Sequence, residues 1–89
     1  MYNLEYTDKA KQDMQWLKRN EAKAYQKLEK LLLELMDHPS TGTGHPEPLT
    51  GRSNQWSRRI TKKHRLVYEI QDEVITVLVL SACKHYNDK

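Results

Sequence analysis

Three periodicities, taken in chain order, predict an α+β domain: a small, mostly antiparallel β-sheet with two N-terminal helices packed on one face. An alternating segment opens the chain, two helical stripes follow, and three strand-like runs close it. Residues 2–6, Tyr-Asn-Leu-Glu-Tyr, alternate and suit a short first strand. Thr7 or Asp8 then offers an N-cap, and Asp8 sets negative charge at the positive end of the helix dipole. Ala10, Met14 and Leu17 recur at helical spacing, with Trp16 beside them and Asp13 and Lys18 free to face water. Asn20 breaks this helix.

The second helix is marked by Ala24, Leu28, Leu31, Leu32, Leu35 and Met36 on one stripe, with Lys27, Glu29, Lys30 and Glu34 mostly elsewhere. The Leu31-Leu32-Leu33 run is expected in the core, and Pro39 ends the helix. Residues 39–54 hold all three prolines and all three glycines. A loop of that length in a compact domain is usually functional or disordered; Pro46 and Pro48 pin the backbone around Glu47, which predicts order there. Strands are expected at 55–60, 65–71 and 74–80. The last is nearly all apolar, as for a central strand covered on both faces. No internal repeat is visible.

Eighty-nine residues make a single domain, 1–89. No stretch approaches the ~18–20 apolar residues needed to span a bilayer, and the N-terminus lacks the basic and apolar regions of a signal peptide. The single Cys83 cannot form an internal disulfide, which fits a reducing cytosol, and a small buried side chain near a strand end is its expected role. The protein is therefore expected in the cytoplasm, away from membranes. His38, His45, His64, His85 and Cys83 match no zinc-ligand spacing, so neither a metal nor another cofactor is expected.

Charge is asymmetric. Residues 1–50 carry seven Lys/Arg against eight Asp/Glu, and residues 51–89 carry eight against four, for a net charge of +3. Arg52, Arg58, Arg59, Lys62, Lys63 and Arg65 fall in one stretch without an acid, a concentration that attracts polyanions. With a hairpin loop at 62–64, Arg59, Arg65, Val67 and Glu69 share one sheet face. Trp56, Ile60, Leu66, Tyr68 and Ile70 share the other. Arg58 falls among the core residues in this register, which leaves the register open.

Adjacent arginines repel unless an anion lies between them, and the guanidinium fork matches phosphate oxygens; a salt bridge of Arg59 to Glu69 or a helix carboxylate is the equal alternative. Cleavage of RNA without metal would need a base for a 2′-OH, cations for the phosphorane and an acid for the leaving 5′-oxygen. Glu47 is the only acid from Gly42 to Arg65 and suits the first task, or else a salt bridge that holds the loop. His85 follows the last strand, and His64 sits in the turn beside Arg65; either could be the acid.

Four segments occur in order: Gly44-His45-Pro46-Glu47-Pro48-Leu49, Trp56-Ser57-Arg58-Arg59-Ile60-Thr61, His64-Arg65-Leu66-Val67-Tyr68 and Ala82-Cys83-Lys84-His85-Tyr86. Together they resemble the YoeB/Txe toxins of the RelE superfamily along essentially the whole chain. The resemblance implies a RelE-like microbial RNase fold and cleavage of mRNA in the A site of the 70S ribosome. It further implies a cognate antitoxin whose C-terminal part folds on the toxin, and leaves a homodimer open. Glu47 would be the general base, Arg59 and Arg65 the phosphate-stabilising cations, and His85 the general acid. Tyr86 beside it would orient it or stack on a base. Arg52, Arg58, Lys62, Lys63, His64 and Lys84 would bind RNA. Three departures stand out: Thr50 replaces a lysine common after Pro-Glu-Pro-Leu, the Cys83-to-His85 interval is one residue short, and Asn87-Asp88-Lys89 extend the terminus. The rival readings are a non-catalytic RNA- or ribosome-binding module and a sheet that docks a partner peptide.

Overall fold

The computed structural model describes residues 1–83; Lys84, His85 and Tyr86 lie outside them. Strand β1 (Asn3–Tyr6) leads into helices α1 (Asp8–Asn20) and α2 (Ala22–Asp37), followed by β2 (Glu47–Pro48), β3 (Gln55–Arg59), β4 (Arg65–Gln71) and β5 (Thr76–Ser81). The five strands form one sheet in the order β1-β5-β4-β3-β2. All neighbours are antiparallel except β1 and β5. The predicted class is therefore the observed one, with one parallel pair, β1 and β5, at the edge, and the two helices carrying the chain from β1 to β2 at the opposite edge.

Local chemistry explains the boundaries. Thr7 caps α1 by accepting the Ala10 N–H at 3.0 Å. Glu21 separates the helices, and α2 stops before Pro39, whose ring cannot continue it. The expected stripes meet the inner sheet face in one core: Ala10 and Leu17 from α1, Leu28, Leu31 and Leu35 from α2, Leu66, Tyr68, Val77 and Val79 from the sheet. Cys83 is buried, as expected. Among the described residues no helix is long and apolar enough to cross a membrane.

Four expectations need correction. Leu33 is 68% exposed, since only Leu31 and Leu32 of the triple run face the core. The last strand begins at Thr76: residues 72–74 form a single 3-10 turn, and Ile75 takes a left-handed conformation (φ 50°) that starts the strand late. Leu78 and Leu80 on its outer face are only half-buried, because the helices cover one side of the sheet. Asp13 is buried, accepting the Ala82 N–H at 2.9 Å and the Lys9 ammonium at 2.9 Å. That carboxylate fixes the chain where it leaves β5.

Candidate active site on the outer sheet face

The β3–β4 hairpin pairs Arg59 with Arg65, Arg58 with Leu66, Ser57 with Val67, Trp56 with Tyr68 and Gln55 with Glu69. The pairing is shifted by two residues from the expected register, and the turn is Ile60 to His64. A two-residue shift preserves every facing, since side chains alternate with period two. The predicted division of faces therefore holds, and Arg59 lies directly opposite Arg65.

Arg58 points inward and is fully buried. Its Nε donates to the Tyr68 hydroxyl at 3.1 Å. Nη1 donates to Glu34 Oε1 at 2.9 Å and the Thr43 carbonyl at 3.3 Å. Nη2 donates to the Thr41 carbonyl at 2.6 Å and to the His38 carbonyl. All five guanidinium protons are thus used on α2, β4 and the loop after α2. Arg58 cannot contact RNA, and its expected place there is corrected: it ties down the loop. Thr43 completes the arrangement by donating its hydroxyl and backbone N–H to Glu34 at 2.7 and 2.9 Å. These two bonds, with Arg58 beside them, hold the Glu34 carboxyl below its usual range. Burial pushes the Tyr68 phenol up.

The loop then reaches β2 through Gly44, whose φ of +86° favours glycine and whose carbonyl accepts the Arg59 N–H at 2.7 Å. A Cβ there would lie 2.9 Å from the Arg59 carbonyl oxygen. Glu47 follows three residues later and pairs with Ser57 at the sheet edge, where Pro48 is tolerated. On the outer face Ser57 Oγ accepts from Arg65 Nη2 at 2.9 Å and Nε at 3.2 Å. Arg65 Nη2 also lies 3.9 Å from Glu47 Oε1. Arg59 is exposed and has no ion pair among the described residues, so the expected alternative of a bridge to Glu69 or a helix carboxylate is absent there. Glu47, Ser57, Arg59 and Arg65 therefore converge on one open surface: an anionic acceptor beside two cations.

His64 is the second correction. Its ring is buried, edge-on to Trp16 at 6.1 Å between centroids, with Nε2 3.2 Å from Glu21 Oε1. This contact is the leading cause that holds Glu21 below the ordinary carboxyl range, ahead of Lys63. The imidazole is thus spent on the helix junction, away from the outer face, and cannot bind RNA or share the acid's position. Lys62, Lys63 and Arg52 are exposed, with Lys63 3.5 Å from Glu21. Sequence reasoning missed Ser57 as the residue holding Arg65; strand alternation from Arg59 was the signal that could have found it.

The family model described as the YoeB-like toxin of bacterial type II toxin–antitoxin systems matches residues 6–86. Toxin YoeB of Synechocystis sp. is 36% identical over 84 residues, covering 93% of this chain and 95% of that protein. The YoeB dimer of Staphylococcus aureus superimposes with a TM-score of 0.83 at 30% identity, covering 96% and 98% of the two chains. The toxin in the heterotetrameric YoeB–YefM complex from the same organism gives 0.81 at 30%, covering 97% and 99%. The chain belongs to the YoeB family of type II toxin–antitoxin toxins, whose members are nucleases.

Proposed function

We propose that this toxin is a ribosome-dependent mRNA endoribonuclease that cuts the message in the ribosomal A site without a metal ion, inhibiting translation. The observation that carries the reading is the Glu47 carboxylate 3.9 Å from Arg65, itself held by Ser57 and facing Arg59. Glu47 takes the proton of a 2′-OH, and the 2′-oxygen attacks the adjacent phosphorus. Arg59 and Arg65 stabilise the charge that builds on the phosphorane oxygens. The 5′-oxygen leaves with a proton from His85, and a 2′,3′-cyclic phosphate remains; Tyr86 orients that acid or stacks on a base. Arg52, Lys62, Lys63 and Lys84 contact the RNA backbone.

The toxin acts in the cytoplasm and is neutralised by a cognate antitoxin, as the assembly of the S. aureus relative with YefM suggests. It can also form a homodimer, on the analogy of the S. aureus YoeB dimer. A module that only binds RNA gains nothing from a carboxylate beside its arginines, because that charge repels phosphate. Primer extension on ribosome-bound mRNA should give discrete cuts within the A-site codon. Intact message overturns the nuclease reading, and rapid unrestricted cutting of naked RNA overturns the dependence on the ribosome.

A further inference from the structure

The outer face of the sheet changes character one row past the arginines. Next to the Ser57–Val67 pair it sinks into a concavity of about 530 Å³, within the range of ~300–1,000 Å³ that holds small ligands. Resting on the nuclease reading, we propose that this concavity receives the nucleobase of the nucleotide adjoining the scissile phosphate, with Gln55 reading the base edge.

Position is the first argument. Val67 lines the concavity and faces Ser57, the residue that holds Arg65. Gln55 lies two residues further along β3, about 6.8 Å at the usual strand rise. That offset is of the order of one nucleotide step in an extended strand. A phosphate held where the Arg65 guanidinium reaches Ser57 therefore brings the neighbouring base over Gln55.

The lining is the second argument. Leu49, Val67 and Leu80 are half-buried on the face that carries no helix, an apolar floor in otherwise charged surroundings. Unstacked bases of single-stranded RNA bind through such contacts to their flat faces and through hydrogen bonds to their edges. Gln55 supplies the edge contact. The turn between β2 and β3 brings Arg52 over it, with the Leu49 N–H donating to the Gln55 carbonyl at 2.8 Å and the Arg52 N–H to the Leu49 carbonyl at 3.3 Å. Arg52 Nη1 then donates to Gln55 Oε1 at 3.5 Å, which leaves the Nε2 amine as the donor for a base. The concavity consequently selects a base with an acceptor at that edge. Lys9 also lines it, but its ammonium already holds Asp13 at 2.9 Å, so Arg52 is the cation for the attached phosphate.

A titration of the whole toxin by amide NMR tests this, using trinucleotides with 2′-deoxyribose at the first and central positions so that neither phosphate is cleaved. Four trinucleotides differ only in the central base, which adjoins both phosphates. The wild type should show shifts at Leu49, Gln55 and Val67 together with those at Arg59 and Arg65. The affinities should spread roughly tenfold across the four bases, as for one hydrogen-bonded edge. Gln55→Ala should compress the spread to about twofold, and Gln55→Glu should move the preference toward bases that present an amino group. Shifts at Arg59 and Arg65 without any at the concavity overturn the base site alone and leave the hollow to a protein partner. An unchanged spread in both variants overturns the role of Gln55. No shift anywhere overturns the base site, while discrete A-site cuts in the primer-extension assay would still uphold the nuclease reading.

Discussion

Arg58 and Arg59 are neighbours in the chain with identical side chains, yet the strand sends them into different media. Arg58 enters the core, where every proton on its guanidinium finds an oxygen from α2, β4 or the loop after α2. Arg59 stands exposed opposite Arg65, with no carboxylate of its own among the described residues. The lesson is that a cluster of positive charge is two populations. A buried cation with all donors satisfied is architecture, and an exposed cation with spare donors is available to a ligand.

The two populations also depend on each other. Arg58 holds the carbonyls of residues 38, 41 and 43, the loop continues through Gly44 onto the Arg59 backbone, and Glu47 follows. The inward arginine therefore sets where the outward carboxylate sits.

The comparison breaks most visibly in stability. Arg58→Ala leaves Glu34 only its two bonds from Thr43 and takes a donor from three carbonyls, and loss of one member of a buried ion pair typically costs about 3–5 kcal/mol. Glu34 is a third exposed, which puts the expected loss at the lower end. Chemical denaturation reads it, and a loss below about 1 kcal/mol would show that Arg58 is replaceable by water.

Arg65→Ala should behave oppositely. Removal of a charge contact to the transition state costs on the order of 10²–10³ in rate. The fold should hold to within about 1 kcal/mol, since the side chain is 30% exposed and its partners are Ser57 and a loose Glu47 contact. Single-turnover cleavage on ribosomes, paired with a denaturation curve, separates the two effects. An unfolded variant would make Arg65 architectural like Arg58.

The smallest expected effect is a pH response confined to the inward arginine's loop. Glu34 has its pKa lowered by Thr43 and Arg58, so its contribution to stability is present above the ordinary value of 4.5 and fades as pH falls through the lowered one. Protection of the Thr43 amide from hydrogen exchange, corrected for intrinsic rate, should therefore drop in that acid range. Glu34→Gln should remove the pH dependence, because its amide oxygen accepts the bond at every pH. Equal pH profiles for the two proteins would sever the loop from that carboxylate.

How much of this could be read from the chain follows the same division. Period-two alternation separated Arg59 and Arg65 from Leu66, Tyr68 and Ile70, and it survived a register two residues off because an even shift leaves facings intact. It also set Arg58 among core residues, an anomaly that was the true signal of burial. What alternation could not supply was the partner. Glu34 lies 24 residues away and the Thr43 carbonyl 15, so the polar pocket exists only once α2 and the loop are folded against β3. Asp13 and His64 escaped for the same reason: their partners, Ala82 and Glu21, are 69 and 43 residues distant. Local pattern marks a polar side chain as exposed unless a remote group claims it.

The central claim is that the outward-facing carboxylate beside Arg65 does chemistry. Glu47→Gln tests it most directly, since the amide keeps the shape and the contact but does not take a proton at neutral pH. Loss of a positioned proton acceptor usually slows a reaction roughly 10²–10⁴-fold. Single-turnover cleavage of ribosome-bound mRNA by Glu47→Gln should fall by that much, with the denaturation curve unchanged because the side chain is 66% exposed. Cleavage at close to the wild-type rate would leave Glu47 a tether for the loop and contradict the account.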